Sequence, residues 1–366
     1  MLPKDARWHN RALLLDLLRR HGPQSRADLV RSTELTAASV SDLVVDLLDE
    51  GIVVESGRRS VGVGKPATLL EIVPDARHVV CLDLSDQTRL VGAVVNVTGS
   101  VLARRTLDRD GKTGAAALKL ASQLARRLVD EAEAPVVGVG VGTPGVVHAG
   151  GIVQDAANLH WHHLPLATEL HEALDVAVHV MNDANAAVLG EYQFGVAPGP
   201  NLLVVKMGMG VGAGLVLDGR LVEGDDSAAG EIGHVVVDDD GPECACGNRG
   251  CLETLVAGTL LAERLDQLDE RGQAALLRTA GEALGSALAP VISMLNLHAV
   301  VLSGLSGVLS GEAGGEPFRD AVAGLLKRRT FPLVSERLEV RFSSTGGDDV
   351  LLGAAAVVLR EELGVR

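Results

Sequence analysis

The chain of 366 residues is 47% hydrophobic and 22% charged, with 48 Asp/Glu against 33 Lys/Arg and a formal net charge of −15. That length exceeds one ordinary core and implies two or three compact units, while the composition excludes a disordered chain. The acidic balance excludes a protein coated with nucleic acid, and the few aromatics (4 Phe, 2 Trp, 1 Tyr) make reading by base stacking a poor expectation.

The charge is uneven. Residues 1–70 hold 10 Lys/Arg and 9 Asp/Glu, a net of +1, and the remainder holds a net of −16. Any DNA contact therefore belongs to the N-terminal segment. The polar opening MLPKDARWHN does not read as a signal peptide. The uncharged stretch 286–303 contains Pro290, Asn296 and His298, so it reads as a buried helix followed by a strand and not a membrane span. Three of the four cysteines fall within eight residues, which suits a metal better than disulfides and a cytoplasmic chain better than a secreted one.

In chain order, residues 8–21 show helical spacing of Leu14, Leu17 and Leu18 and stop at Gly22-Pro23. A short second helix fits Arg26 to Arg31 behind Ser25 as N-cap, and a third starts at Thr36. In that third helix Val40, Leu43, Val44, Leu47 and Leu48 form one apolar stripe closed by Gly51. Beyond Gly51 the period becomes two: strands are expected at Ile52–Glu55 and Ala67–Val73, joined by a turn rich in Gly and cations. Three helices and a two-stranded ribbon make a winged helix-turn-helix over residues 1–73, which binds operator DNA through the N-terminal end of the third helix and the ribbon tip. The expected contacts are Ser25, Arg26, Thr36, Ala37, Ala38, Ser39, Ser41, Asp42, Arg58, Arg59 and Lys65. Small residues let the helix enter the major groove, Asp42 can accept from cytosine N4, and the cations track phosphates. A helical dimerisation module with a solvated basic loop is the alternative.

Residues 71–78 read as a short hinge. The segments from Val79 and from Leu202 then echo each other, each an apolar strand, a loop, a second strand, a tight turn and a further strand. This suggests a duplicated α/β unit with two lobes over a cleft. Helices are expected at Ala115–Glu131 and Ala257–Gln267, alternating with strands Val136–Val141, His179–Met181 and Val300–Ser303. Gly142-Thr143-Pro144-Gly145 is either a ligand-approach loop or a plain turn.

The most specific pattern is Gly233-His234 followed by Cys244-Ala-Cys246-Gly-Asn-Arg-Gly-Cys251. Three thiolates and an imidazole, with glycines to fold them together, make a closed tetrahedral set for structural zinc: His234, Cys244, Cys246 and Cys251. Glu231 and Glu253 flank the knuckle, and Asn182-Asp183 stands between a strand and a helix. Carboxylates and an amide arriving together are what a polyol needs, although Asn182 and Asp183 also suit a helix cap.

At Glu231-Ile-Gly-His234, the knuckle ending Cys251-Leu-Glu253, Asn182-Asp-Ala-Asn-Ala-Ala-Val-Leu-Gly190-Glu191, Asn158–Trp161 and Gly142–Gly145, the chain resembles the ROK family (repressors, open reading frames and sugar kinases). With its winged module it looks like the regulator branch. The resemblance implies an actin-like ATPase fold over 79–366. One lobe covers about 79–190 with the C-terminal helix, and the other about 191–340. It also implies a sugar held by Asn158, Asn182, Asp183, Glu231, His234 and Glu253, and a homodimer or homotetramer. In the family's kinases the residue matching Asp183 is the general base. Here the first phosphate loop reads Asp83-Leu84-Ser85-Asp86-Gln87-Thr88 and lacks both family glycines. Met209 replaces the usual Thr of the second loop, and Ser303-Gly304 replaces paired glycines. The expectation is a sugar sensor without ATP-dependent phosphorylation. The alternatives are a bifunctional sugar kinase and a regulator that senses a protein partner.

Overall fold

The computed structural model describes residues 3–59, 66–196, 199–304 and 314–365. The N-terminal module runs α1 (Pro3–His21), β1 (Gln24–Ser25), α2 (Arg26–Thr33), α3 (Ala37–Asp49), β2 (Val53–Arg59) and β3 (Ala67–Ile72). Its helices begin where side chains satisfy free amides. The Ser25 hydroxyl accepts from Asp28 N while the Asp28 carboxylate accepts from Ser25 N, closing a capping box. Thr36 Oγ1 accepts from Ser39 N at 3.1 Å. Val40, Leu43, Val44 and Leu47 are buried, as the stripe requires. The ribbon has three strands rather than two, in the order β1-β3-β2. Two residues are too short a strand to show a period.

The module does not carry a core of its own. Leu14, Leu15 and Leu18 of α1 belong to the same buried cluster as Val79, Cys81, Leu359 and Leu363 of the body. Arg11 donates to the Leu363 carbonyl at 3.3 Å and forks onto Glu50 with two contacts of 2.6 Å. The segment read as a hinge is pinned on one side by Val73 N donating to Ile52 O at 2.9 Å.

The first half of the body contains β4 (His78–Asp83), β5 (Arg89–Asn96), β6 (Val101–Asp108), α4 (Gly114–Glu131) and β7 (Val136–Thr143). A small antiparallel sheet follows, β8 (Val146–His148), β9 (Ile152–Ala156) and β10 (Trp161–Leu164), and then α5 (Leu166–Leu174), β11 (Val178–Asn182) and α6 (Asp183–Phe194). The second half contains β12 (Leu202–Met207), β13 (Val211–Leu217), β14 (Arg220–Leu221), α7 (Glu253–Val256), α8 (Gly258–Leu265) and α9 (Glu270–Leu295). It ends with β15 (Ala299–Ser303), α10 (Glu316–Arg329), α11 (Pro332–Ser335), β16 (Glu339–Phe342) and α12 (Asp349–Val358). The helix expected at Ala257–Gln267 is α8, and the short α7 before it is set off by Ala257, whose ψ is 135°.

The two large sheets are ordered β6-β5-β4-β7-β11 and β14-β13-β12-β15-β16. In each, the first three strands are antiparallel and the last two run parallel to the first. The echo in the sequence is therefore a repeat in the fold. Between the sheets lie α12, against the first, and α6, against the second. A side chain at Gly140 would overlap the Ala354 carbonyl, and one at Gly353 would overlap the Ala186 carbonyl. Glycine alone permits these backbone contacts.

Glu191, in α6, is fully buried and its side chain is saturated: Arg341 Nη1 donates at 2.6 Å, Ser344 Oγ at 2.7 Å, Ser343 Oγ at 2.9 Å and Ser344 N at 3.1 Å. Burial alone would raise its pKa, but these hydrogen bonds and the guanidinium charge hold it below the ordinary value of 4.5. A lowered folded pKa gives stability that is complete above the ordinary value and is lost as the pH falls through the folded one. Arg341→Met should cost about 3–5 kcal/mol in urea denaturation at pH 7, because the carboxylate is left buried and uncompensated. The same variant should lose less stability than the wild type between pH 6 and pH 3.

Candidate functional site

The ends of both sheets open on a cavity of about 430 Å³ lined by Asn158, Asn182, Asp183, Glu231, His234 and Glu253 together. They come from four local structures. Asn158 sits in a single 3-10 turn, Ala157–Leu159, that follows β9. Asn182 ends β11 and caps α6, accepting from Ala184 N and Asn185 N at 2.8 and 3.0 Å. Its amide donates to the Gly145 carbonyl at 2.9 Å, which ties the 142–145 loop to the helix. The capping role and the cavity position thus coincide in one residue. Glu231 precedes a 3-10 turn that ends at His234, and Glu253 begins α7 directly after the knuckle.

Lys206 was not singled out from the sequence, where it stands in an apolar strand. Its Nζ lies 2.8 Å from Asp183 Oδ2 and 3.1 Å from Ser85 Oγ, and its side chain is only 11% exposed. Burial would lower its pKa, but the carboxylates of Asp183 and Asp83 outweigh burial and raise it above the ordinary value. Burial pushes the Asp83 carboxyl up, against the charge of Lys206 and two hydrogen bonds from Ser85.

A second cavity, also about 430 Å³, adjoins the first and shares Ser85, Lys206, Gly208 and Met209 with it. Asp83, Asp86, Arg104 and Asp349 are among its other polar lining residues, and Gly304 lines it too. The loop after β4 is folded onto its own acid: Asp86 Oδ1 accepts from Thr88 N at 2.7 Å, Thr88 Oγ1 at 2.8 Å and Arg89 N at 3.2 Å. Arg104 pairs with Asp348, and Ser303 donates to Asp349.

The ligand atoms of His234, Cys244, Cys246 and Cys251 all lie within 4.8 Å of one another. Cys246 Sγ and Cys251 Sγ are 3.7 Å apart, and Cys244 Sγ is 3.6 Å from His234 Nδ1. Around a tetrahedral ion with Zn–S near 2.3 Å and Zn–N near 2.0 Å, those separations come to about 3.8 and about 3.5 Å. The cysteines are free thiols, so the donor set fits a metal. His234 Nε2 faces Glu231 at 3.8 Å, leaving Nδ1 as the nitrogen on the sulfur side.

In the N-terminal module Thr36, Ala37, Ala38, Ser41, Asp42, Arg58 and Arg59 are exposed, while Arg26 and Ser39 are half-buried. Val45, missed from the sequence, continues the exposed face of α3 at 50% exposure. Ser25 corrects one expectation. It is buried, and its hydroxyl and amide are both committed to Asp28, so it offers nothing to DNA. Arg59 and Arg31 both pair with Asp28, and Arg26 pairs with Glu55 at 3.2 Å. Lys65 lies outside the described residues.

Two similar α/β lobes over a polar cleft, with a thiolate–imidazole knuckle on one wall, define a class of sugar-kinase-like proteins. Residues 79–361 match the ROK family, and the chain belongs to it. Over 97% of its length it is 26% identical to a xylose repressor of Caldicellulosiruptor bescii, covering 96% of that protein. It is 31% identical to a glucokinase of Thermotoga maritima, over 77% of this chain and 97% of the relative. A solved ROK transcriptional regulator, a homolog of the E. coli MLC protein, shares the fold across 98% of this chain and 99% of its own, with TM-score 0.80 at 22% identity. Among the described residues no helix is long and apolar enough to cross a membrane.

If the cluster holds a metal, Cys246→Ser and Cys251→Ser should each lower the metal-to-protein ratio, read by elemental mass spectrometry after gel filtration. Glu243→Gln, whose carboxylate pairs outward with Arg249, should leave that ratio unchanged.

Proposed function

We propose that this chain is a sugar-responsive, DNA-binding transcription repressor of carbohydrate metabolism. In this reading it holds structural zinc at His234, Cys244, Cys246 and Cys251, and it acts in the cytoplasm as a homodimer or homotetramer. The observation that carries the reading is the convergence of Asn158, Asn182, Asp183, Glu231, His234 and Glu253 on one cavity, behind a winged helix-turn-helix. Acidic and amide groups around a small cavity hydrogen-bond vicinal hydroxyls. Zinc would fix the His234 ring through one nitrogen and leave its other edge toward the sugar.

The sugar is bound without being phosphorylated. A loop that cradles phosphates must aim free backbone amides at them. The amides of Thr88 and Arg89 are instead taken by Asp86, an internal anion in the second cavity. The alternative, a bifunctional kinase, draws on the glucokinase relative and on the glycines kept at 208, 210 and 212.

On the DNA side, Ala37, Ala38, Ser41, Asp42 and Val45 form the exposed face of α3 that would enter a major groove. Ser39 and Thr36 are occupied in capping and would position more than read. Arg58, Arg59, Arg26 and Lys65 would meet phosphates. A dimer places two such helices on half-sites, and a sugar that favours one lobe arrangement changes their spacing.

The test is a thermal-shift series with D-xylose, D-glucose and N-acetyl-D-glucosamine, each with and without MgATP. A ligand at 100 times its dissociation constant should stabilise the fold by about 2.7 kcal/mol. One sugar should shift the melt and MgATP should add nothing. Sugar-dependent phosphate transfer from ATP would establish the kinase instead. Arg58→Ala should weaken operator binding on every sequence and lower the salt slope of log K by about 1.

A further inference from the structure

Among the described lining residues, Lys206 is the one permanent cation of the sugar cavity, which also contains the carboxylates of Asp155, Asp183, Glu231 and Glu253. It stands at the junction with the second cavity, because it lines both. Its Nζ is 3.5 Å from where a side chain at Gly208 would begin, so it sits beside the Gly208-Met209-Gly210 turn. It also closes a chain of contacts between the lobes. Asp83 accepts from Ser85 Oγ at 2.6 Å, Ser85 meets Lys206 at 3.1 Å, and Lys206 meets Asp183 at 2.8 Å.

We propose that Lys206 is the positioning residue that makes the cleft a binding site and not a phosphoryl-transfer site, by holding the Asp183 carboxylate in a fixed orientation as an acceptor for a sugar hydroxyl. The proposal deepens the sugar-sensor reading and rests on it for the identity of the ligand. To act as a base, Asp183 would take the hydroxyl proton and become neutral while the sugar oxygen attacked phosphorus. That would cost Lys206, a buried ammonium, its 2.8 Å ion pair. The ammonium also stands close to both Asp183 and the glycine turn. Lys206 and Asp183 together present one donor and one acceptor to a diol. Surrounded by carboxylates, that lysine is already neutralised, so it does not serve as an anchor for a phosphate on the sugar.

The experiment is a double-mutant cycle by calorimetry with full-length, zinc-loaded protein and whichever of D-xylose and D-glucose binds the wild type more tightly. Lys206→Met and Asp183→Asn should each weaken sugar binding at least tenfold. The double variant should be no weaker than the weaker single one, because the two residues act as a unit. Losses that multiply, or a Lys206→Met variant that binds like the wild type, would overturn the proposal. Glucose 6-phosphate is the second probe and should bind at least tenfold more weakly than glucose. Tighter binding of the phosphate would make Lys206 a phosphate anchor and also overturn it.

Thermal melts of the same four proteins separate the pair from the ligand. Lys206→Met should melt below the wild type, and adding Asp183→Asn should recover part of the loss by removing the unpaired carboxylate. If neither sugar binds the wild type, the sugar reading fails while the melts still decide the pair. A Lys206→Met variant that melts with the wild type, or a double variant that recovers nothing, sinks it.

Discussion

The architecture depends on one contact, the meeting of α6 and α12 backbone to backbone at Gly353 and the Ala186 carbonyl. Because no side chain separates the helices there, α12 can lie on the first sheet while α6 lies on the second. Both helices begin at the cleft. The N-terminus of α6 brings Asn182 and Asp183 to the first cavity, and that of α12 brings Asp349 to the second. Exposed amides at both starts favour acceptors there, and Asn182 and Asp349 each cap or face their own first turn. The polar cleft is thus the place where two tightly packed helices start, lined by side chains whose geometry that packing fixes.

The knuckle does related work on the opposite wall. Glu231 and Glu253 stand three residues before and two residues after metal-ligand candidates. Folding the cysteines around one point therefore sets the spacing of both carboxylates. Glu253 Oε1 lies 3.0 Å from Cys244 Sγ and 3.5 Å from His234 Nδ1, so the wall is continuous from donor cluster to cavity. A ligand bound there meets a rigid surface on both sides, which lowers the ordering cost of binding.

Much of this was legible in the sequence because it has a local signature. Thr36 and the Val40 to Leu47 stripe announce α3 through capping and period, and the echo between Val79 and Leu202 announces the repeated sheet. The knuckle was legible because cysteines so close together, between glycines, have few other uses. What escaped depends on distance in the chain. The strand β1 is two residues long and exists only because β3 accepts it. Lys206 looks like a solvated residue on an apolar strand until Ser85 and Asp183, from elsewhere in the chain, close on it. Ser25 was legible as a cap but also counted toward DNA. Burial decided between those uses, and burial is a property of the whole fold. Arg26 and Arg59 read as free basic surface, yet Arg59 of the wing pairs with Asp28 of α2, and Arg26 of α2 pairs with Glu55 of β2.

The shared core of α1 and the body has a consequence for how such a protein is inherited and altered. Trp8 and Ala12 lie beside Gly364, Arg11 holds the Leu363 carbonyl, and Arg19 donates to the Gln193 carbonyl at the far end of α6 while stacking over Phe194. The N-terminal module is therefore joined to the body at the end of α6 and at the tail that follows α12. A chimera that exchanges only the first seventy residues between relatives would mismatch this seam. Recombination that preserves the fold must carry the N-terminal module, the end of α6 and the 359–365 tail as one unit, so substitutions on the two sides of that seam should evolve together.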